Sequence, residues 1–150
     1  CYSKASIFGI TRRNIMLFTN VDHIGFAVRN IDEAVGFYSI AFGVTEWEHI
    51  AMPERHMAVA ATHVGGMLLE LIAPTSDEAS FAKYLRERGP GMHHVAYRVE
   101  NIVAALAEAQ AQGIQLIDET PRPGLHNTLV AFLHPKSCQG VLVELVQHQD

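Results

Sequence analysis

The chain has 150 residues, 49% of them hydrophobic, and its 11 Lys and Arg face 16 Asp and Glu for a formal charge of -5. That is enough apolar material for one domain, or for two small modules sharing a core. The acidic balance excludes a nucleic-acid or anionic-membrane surface built on a cationic stripe, and the longest apolar runs fall far short of the about 20 residues a membrane-spanning helix needs.

Residues 1–15, "CYSKASIFGITRRNI", carry Lys4, Arg12 and Arg13 but no acid and precede Met16, a plausible start. They read as an extension outside the fold, added or poorly ordered, with a trimmed organelle-targeting remnant as the alternative. No signal-peptide pattern is visible, so a secreted form is not expected. Cys1 and Cys138 make no disulfide framework and suit a reducing compartment, the cytoplasm or, alternatively, the mitochondrial matrix.

From residue 16 to 150 the pattern is that of one domain made of a repeated module, the first over about 20–74 and the second over about 91–148. "HIGFAVRNIDEAV" from His23 lies over "HVAYRVENIVAAL" from His94, pairing Val28 with Val99, Asn30 with Asn101, Ile31 with Ile102 and Ala34 with Ala105. Each copy opens with a segment of period two, His23–Val28 and His94–Val99, which predicts a strand. A helix should follow, capped by Asn30 with Glu33 in the first copy and running from Asn101 to a stop at Gly113 in the second. Strand-like pieces come next: Val44–Ile50, Met57–Val64 and Met67–Ala73, then Gln115–Ile117, Thr128–Leu133 and Val141–Val146. The order in each copy is βαβββ, an α+β fold of two tandem modules forming a cleft. Between them residues 75–90 predict a connector helix, with Thr75 and Glu78 as its capping box and Gly89-Pro90-Gly91 as its end.

The last strand of each copy holds one charge in an apolar run: Glu70 in "GMLLELIA" and Glu144 in "GVLVELVQ". Glu70 shares its face with Leu68 and Ile72, and Glu144 with Leu142 and Val146, so neither face resembles solvent surface. A buried unpaired carboxylate costs several kcal/mol or neutralises, whereas a divalent cation holds it ionised. With His23 and His94 at equivalent points of the first strands, His23, Glu70, His94 and Glu144 form a candidate metal shell, and small neighbours such as Gly25, Ala27 and Ala96 leave room beside it. Two imidazoles and two carboxylates suit Co, Mn, Zn, Ni or Fe(II). His93 points to the opposite face of a regular strand and is left out of the shell.

"VDHIGFAVRNIDEAVGFY", "GMHHVAYRV" and above all "FLHPKSCQGVLVEL" resemble the methylmalonyl-CoA epimerases of the vicinal oxygen chelate, or glyoxalase-like, superfamily, over about Val21 to Gln147. The resemblance implies a paired βαβββ fold, a divalent metal held by the same four residues, an acyl-CoA substrate and a homodimer. It implies metal-assisted removal of the C2 proton between a thioester and a carboxylate, with an enolate intermediate and Glu144 as both ligand and base. It departs at Val59, where some members carry a second glutamate; a water, His56, His126 or Glu70 could relay the proton instead. Gly124 and Asn127 are read as left-handed positions in the loop shaping the pocket, and Lys136 and Arg98 as contacts for anionic parts of the acyl-CoA. The rival readings are a glyoxalase-I-like isomerase acting on a glutathione adduct and a non-catalytic binding or resistance protein; an extradiol dioxygenase is disfavoured by the fourth ligand.

Overall fold

The computed structural model describes residues 18–150, so the extension at 1–15 lies outside the described residues. Both copies show the expected order. The first comprises β1 (Asn20–Ala27), α1 (Ile31–Phe42), β2 (Glu48–Met52), β3 (Met57–Val64) and β4 (Met67–Pro74). After α2 (Ala82–Arg88) the second comprises β5 (Gly91–Arg98), α3 (Ile102–Ala111), β6 (Arg122–Pro123), β7 (Thr128–Leu133) and β8 (Val143–His148). The chain divides into two compact units, Val21–Ala96 and residues 97–150 with 18–20, the boundary falling inside β5.

In the unit Val21–Ala96 the strands run in the order β2-β3-β4-β1-β5. β2, β3 and β4 form an antiparallel meander, while β1 lies parallel to β4 with Gly25 opposite Glu70. The β3–β4 hairpin closes through Gly65 and Gly66, and Gly65 has a positive φ of 61° that a side chain resists. Asn30 caps α1 as predicted, its Oδ1 accepting from the Glu33 N–H at 2.9 Å, and the helix lies against β3 and β4. Leu71 and Ala60, fully buried, stand on the sheet face opposite Glu70.

In the other unit the strand order is β8-β7-β6, with Ile102 and Leu106 of α3 packed on Leu133 and Leu145. Asn101 caps α3 through the Ala104 N–H at 3.0 Å, and Gln147 on β8 accepts from the Ile102 N–H at 2.8 Å, satisfying a second orphan donor of the first turn. The chain leaves α3 through Gly113 at a φ of 81°.

Four expectations change. The connector helix is shorter than residues 75–90: α2 begins only at Ala82, and Thr75 and Glu78 form no capping box. The Glu78 N–H donates instead to Ser76 Oγ, and Ala79 and Phe81 are both buried. Two residues apart on a helix they would point to nearly opposite sides, so burying both requires a turn. The strand expected at 115–117 is a single bridge from Leu116 to Leu133, because Asp118 Oδ2 takes the Phe132 N–H that a ladder would use, and Pro121 and Pro123 offer no N–H. β2 and β8 begin later than expected, at Glu48 and Val143; Val44 O is held by Ser39 Oγ and Trp47 Nε1, and the Val141 N–H turns back to Cys138 O. Asn127 is left-handed, at a φ of 55°, but Gly124 is not. Its lack of a side chain serves close approach instead: a Cβ there would stand 2.5 Å from Thr128 Oγ1 and 2.6 Å from Val130 Cγ1.

Candidate metal centre

Strand alternation and register bring three of the four predicted ligands together. Glu70 lies opposite Gly25, and His23 two residues before Gly25 projects from the same face. His23 Nε2 stands 3.4 Å from Glu70 Oε2 and 3.2 Å from His94 Nε2, the two imidazoles meeting edge to face at 88°. All three side chains are buried, at 5–6% exposure. Burial of this kind is what makes an ionic partner necessary for the carboxylate.

The far side of each imidazole is also engaged. His23 Nδ1 lies 2.8 Å from Asp22 Oδ1, which can only accept when ionised, so the proton sits on Nδ1 and Nε2 presents its lone pair. His94 Nδ1 lies 2.9 Å from His93 Nδ1, and when His94 is the donor its Nε2 lone pair is likewise turned to the centre. His93 therefore does not simply turn to the opposite face; its ring reaches sideways to His94 and meets Phe81 at 5.4 Å. Gly25 supplies the space. A Cβ built on it would stand 2.1 Å from His94 Cε1 and 2.7 Å from Nε2, so a side chain and this ring position exclude one another.

These separations fit a common ion. Two donors each about 2.1 Å from one cation stand about 3.0 Å apart at an octahedral angle and 3.4 Å at a tetrahedral one. Nitrogen and carboxylate donors of this kind can hold a divalent cation. Glu144, the fourth predicted residue, lies in the other unit on β8, opposite Phe132 of β7 and 5% exposed, at the place in its module that Glu70 occupies in the first.

The remaining candidates fall elsewhere. Val59 is 1% exposed on the Glu70 face and offers no proton-transfer group. His56 sits at the β2–β3 turn with Nε2 at 3.1 Å from Glu78 Oε2. His126 and Lys136 are exposed and Arg98 half-buried at the end of β5, all in residues 97–150. The sequence reading missed Asp22, set His93 aside and took Gly25 as room for a ligand where it makes room for the His94 ring. The signals were present: an acid and a second imidazole each directly before a proposed ligand, and a glycine inside a strand, a common mark of close approach.

The chain belongs to the Glyoxalase/Bleomycin resistance protein/Dioxygenase superfamily, whose model matches residues 22–132. It is 34% identical over 128 residues to the mitochondrial methylmalonyl-CoA epimerase of Homo sapiens, covering 85% of this chain and 73% of that protein. It is 31% identical over 130 residues to an ethylmalonyl-CoA/methylmalonyl-CoA epimerase of Cereibacter sphaeroides, covering 85% and 96%. A Streptomyces coelicolor methylmalonyl-CoA epimerase variant solved in complex with 2-nitronate-propionyl-CoA superposes with a TM-score of 0.82 at 31% identity, over 88% of this chain and 96% of that one.

Proposed function

We propose that this chain is a methylmalonyl-CoA epimerase, interconverting (2R)- and (2S)-methylmalonyl-CoA by moving the C2 proton. The observation that carries the reading is the buried His23–Glu70–His94 cluster in a chain whose relatives over most of its length include proteins named as epimerases of that substrate. The C2 proton lies between a thioester and a carboxylate and is only weakly acidic, so the site must stabilise the enolate charge. His23, Glu70, His94 and Glu144 would hold a divalent cation, one of Co, Mn, Zn, Ni or Fe, whose Lewis acidity is worth several kcal/mol for charge developing on oxygen.

The chain's own groups do the rest. Asp22 and His93 set which imidazole nitrogens face the centre. Gly25 leaves the space in which the His94 ring stands against the centre. Glu144 takes the proton from one face of C2 or returns it there. Inversion needs a second carrier on the other face.

The rest of the reading is a single domain over residues 16–150 acting as a homodimer in the cytoplasm. Exposed Phe37, Ile40 and Phe42 on α1 supply apolar surface for a second copy, and no described helix is long and apolar enough to cross a membrane. The test is conversion of pure (2R)-methylmalonyl-CoA followed by chiral separation, with Co²⁺-loaded protein and Glu144→Gln. Inversion by the wild type that falls at least about 100-fold in the variant supports the reading. No inversion by protein that holds its cation, with turnover of the methylglyoxal–glutathione adduct instead, moves the chain to glyoxalase-type chemistry.

A further inference from the structure

Resting on the epimerase reading, we infer that Glu48 is the second proton carrier. The register defines one cross-strand row on the face of the centre: Glu48 pairs with Ala61, Ala61 with Glu70 and Glu70 with Gly25. Residues paired in register project to the same side of a sheet, so the Glu48 side chain rises from the same face as His23 and Glu70. Apart from the cluster itself, the described residues of β1 to β4 place two titratable side chains on that face, Glu48 and His63.

The residues between them and the centre separate the two. Glu48 and Glu70 stand two strands apart, about 10 Å at the backbone, and only the methyl of Ala61 lies between. A methyl is a small group to stand between two carboxylates. His63 is two strands from His23 in the adjacent row, but Leu68 stands between them with a full isobutyl group. Val59, diagonal to both Glu48 and Glu70 in the next row, is apolar and buried, so apart from the proposed ligand Glu70 the carboxylate beside that part of the face on β1 to β4 is that of Glu48. Glu48 is itself exposed, which allows a proton it takes up to exchange with water.

The step balances without a further reactant. For one enantiomer Glu144 removes the C2 proton, the C–H electron pair becomes the enolate, and the carboxylic acid of Glu48 delivers its proton to the opposite face. The other enantiomer runs the same transfers in reverse, and exchange with solvent resets both carboxyls.

The test uses metal-loaded Glu48→Gln protein with each enantiomer separately in D₂O, reading deuterium at C2 and inversion in the same samples. We expect inversion to fall at least about 100-fold while one enantiomer, the one served by Glu144, still gains deuterium with retention near the wild-type rate. Glu48→Asp should invert at an intermediate rate and His63→Gln at the wild-type rate, with folding checked by circular dichroism. Inversion of both enantiomers by Glu48→Gln within threefold of wild type overturns the assignment, as does the retention pattern appearing in His63→Gln. Wild-type protein that neither exchanges nor inverts overturns the epimerase reading itself, a result distinguishable from either.

Discussion

Gly25 shows how much of the centre depends on an atom that is missing. Its absent Cβ is the space occupied by the His94 ring, and that ring is a side chain able to rotate away. Gly25→Ala should therefore leave a folded protein whose metal affinity has fallen by at least about tenfold, read by chelator competition with Co²⁺ or Zn²⁺. Asp22 acts by a different route, holding the His23 tautomer through a 2.8 Å contact. Asp22→Asn can still meet His23 with an oxygen but loses the charge, and an affinity loss of about 10–100-fold is expected in the same assay, with thermal stability of the metal-free protein nearly unchanged. His23, Glu70, His94 and Glu144 were legible as a set because the repeat places each twice. Asp22 and His93 each stand directly before the imidazole of their own copy but are unlike residues, and Gly25 pairs with Ala96, so a search for repeated residues passes over all three.

At the scale of elements, the helices carry predictions that the site does not affect. Asn30 and Asn101 accept from the Glu33 and Ala104 N–H groups, so Asn30→Ala and Asn101→Ala should each cost about 1 kcal/mol in urea unfolding. Cys138 packs beside the α3–β7–β8 core, and burial pushes its thiol above the usual range. Alkylation by iodoacetamide should be slow at neutral pH and still rise beyond about pH 8.5, where an ordinary thiol begins to level off. A levelling at the ordinary value would mean that the thiol is solvated. Element identity was readable because β1 and β5 alternate, α1 and α3 carry apolar stripes, and β3, β4 and β7 are short, mostly apolar runs. Boundaries moved where side chains took over backbone partners: Asp118 at the Phe132 N–H, Ser76 at the Glu78 N–H, and Ser39 and Trp47 at Val44 O. Such contacts join residues whose relation appears only once the chain has turned.

For the whole molecule, duplication explains why a small domain can present paired donors from equivalent strands. One module supplies a first-strand imidazole and a last-strand carboxylate, His23 and Glu70, already at 3.4 Å within one compact unit. The second copy repeats the pattern with His94 and Glu144. The copies have also diverged. β6 is reduced to two residues where β2 has five, and Glu48 on β2 has no equivalent acid on β6. Proton transfer assigned to Glu144 and Glu48 thus uses one carboxylate that the repeat preserves and one that only the first copy holds.

The most direct measurement is deuterium entry at C2 of (2R)-methylmalonyl-CoA in D₂O, followed together with appearance of the 2S form, for metal-free and Co²⁺-loaded wild-type protein and corrected for uncatalysed exchange. The account predicts that exchange and inversion both appear on loading with the cation and are both suppressed in Glu144→Ala. Exchange no faster than the blank, in protein shown to hold its cation, would contradict it.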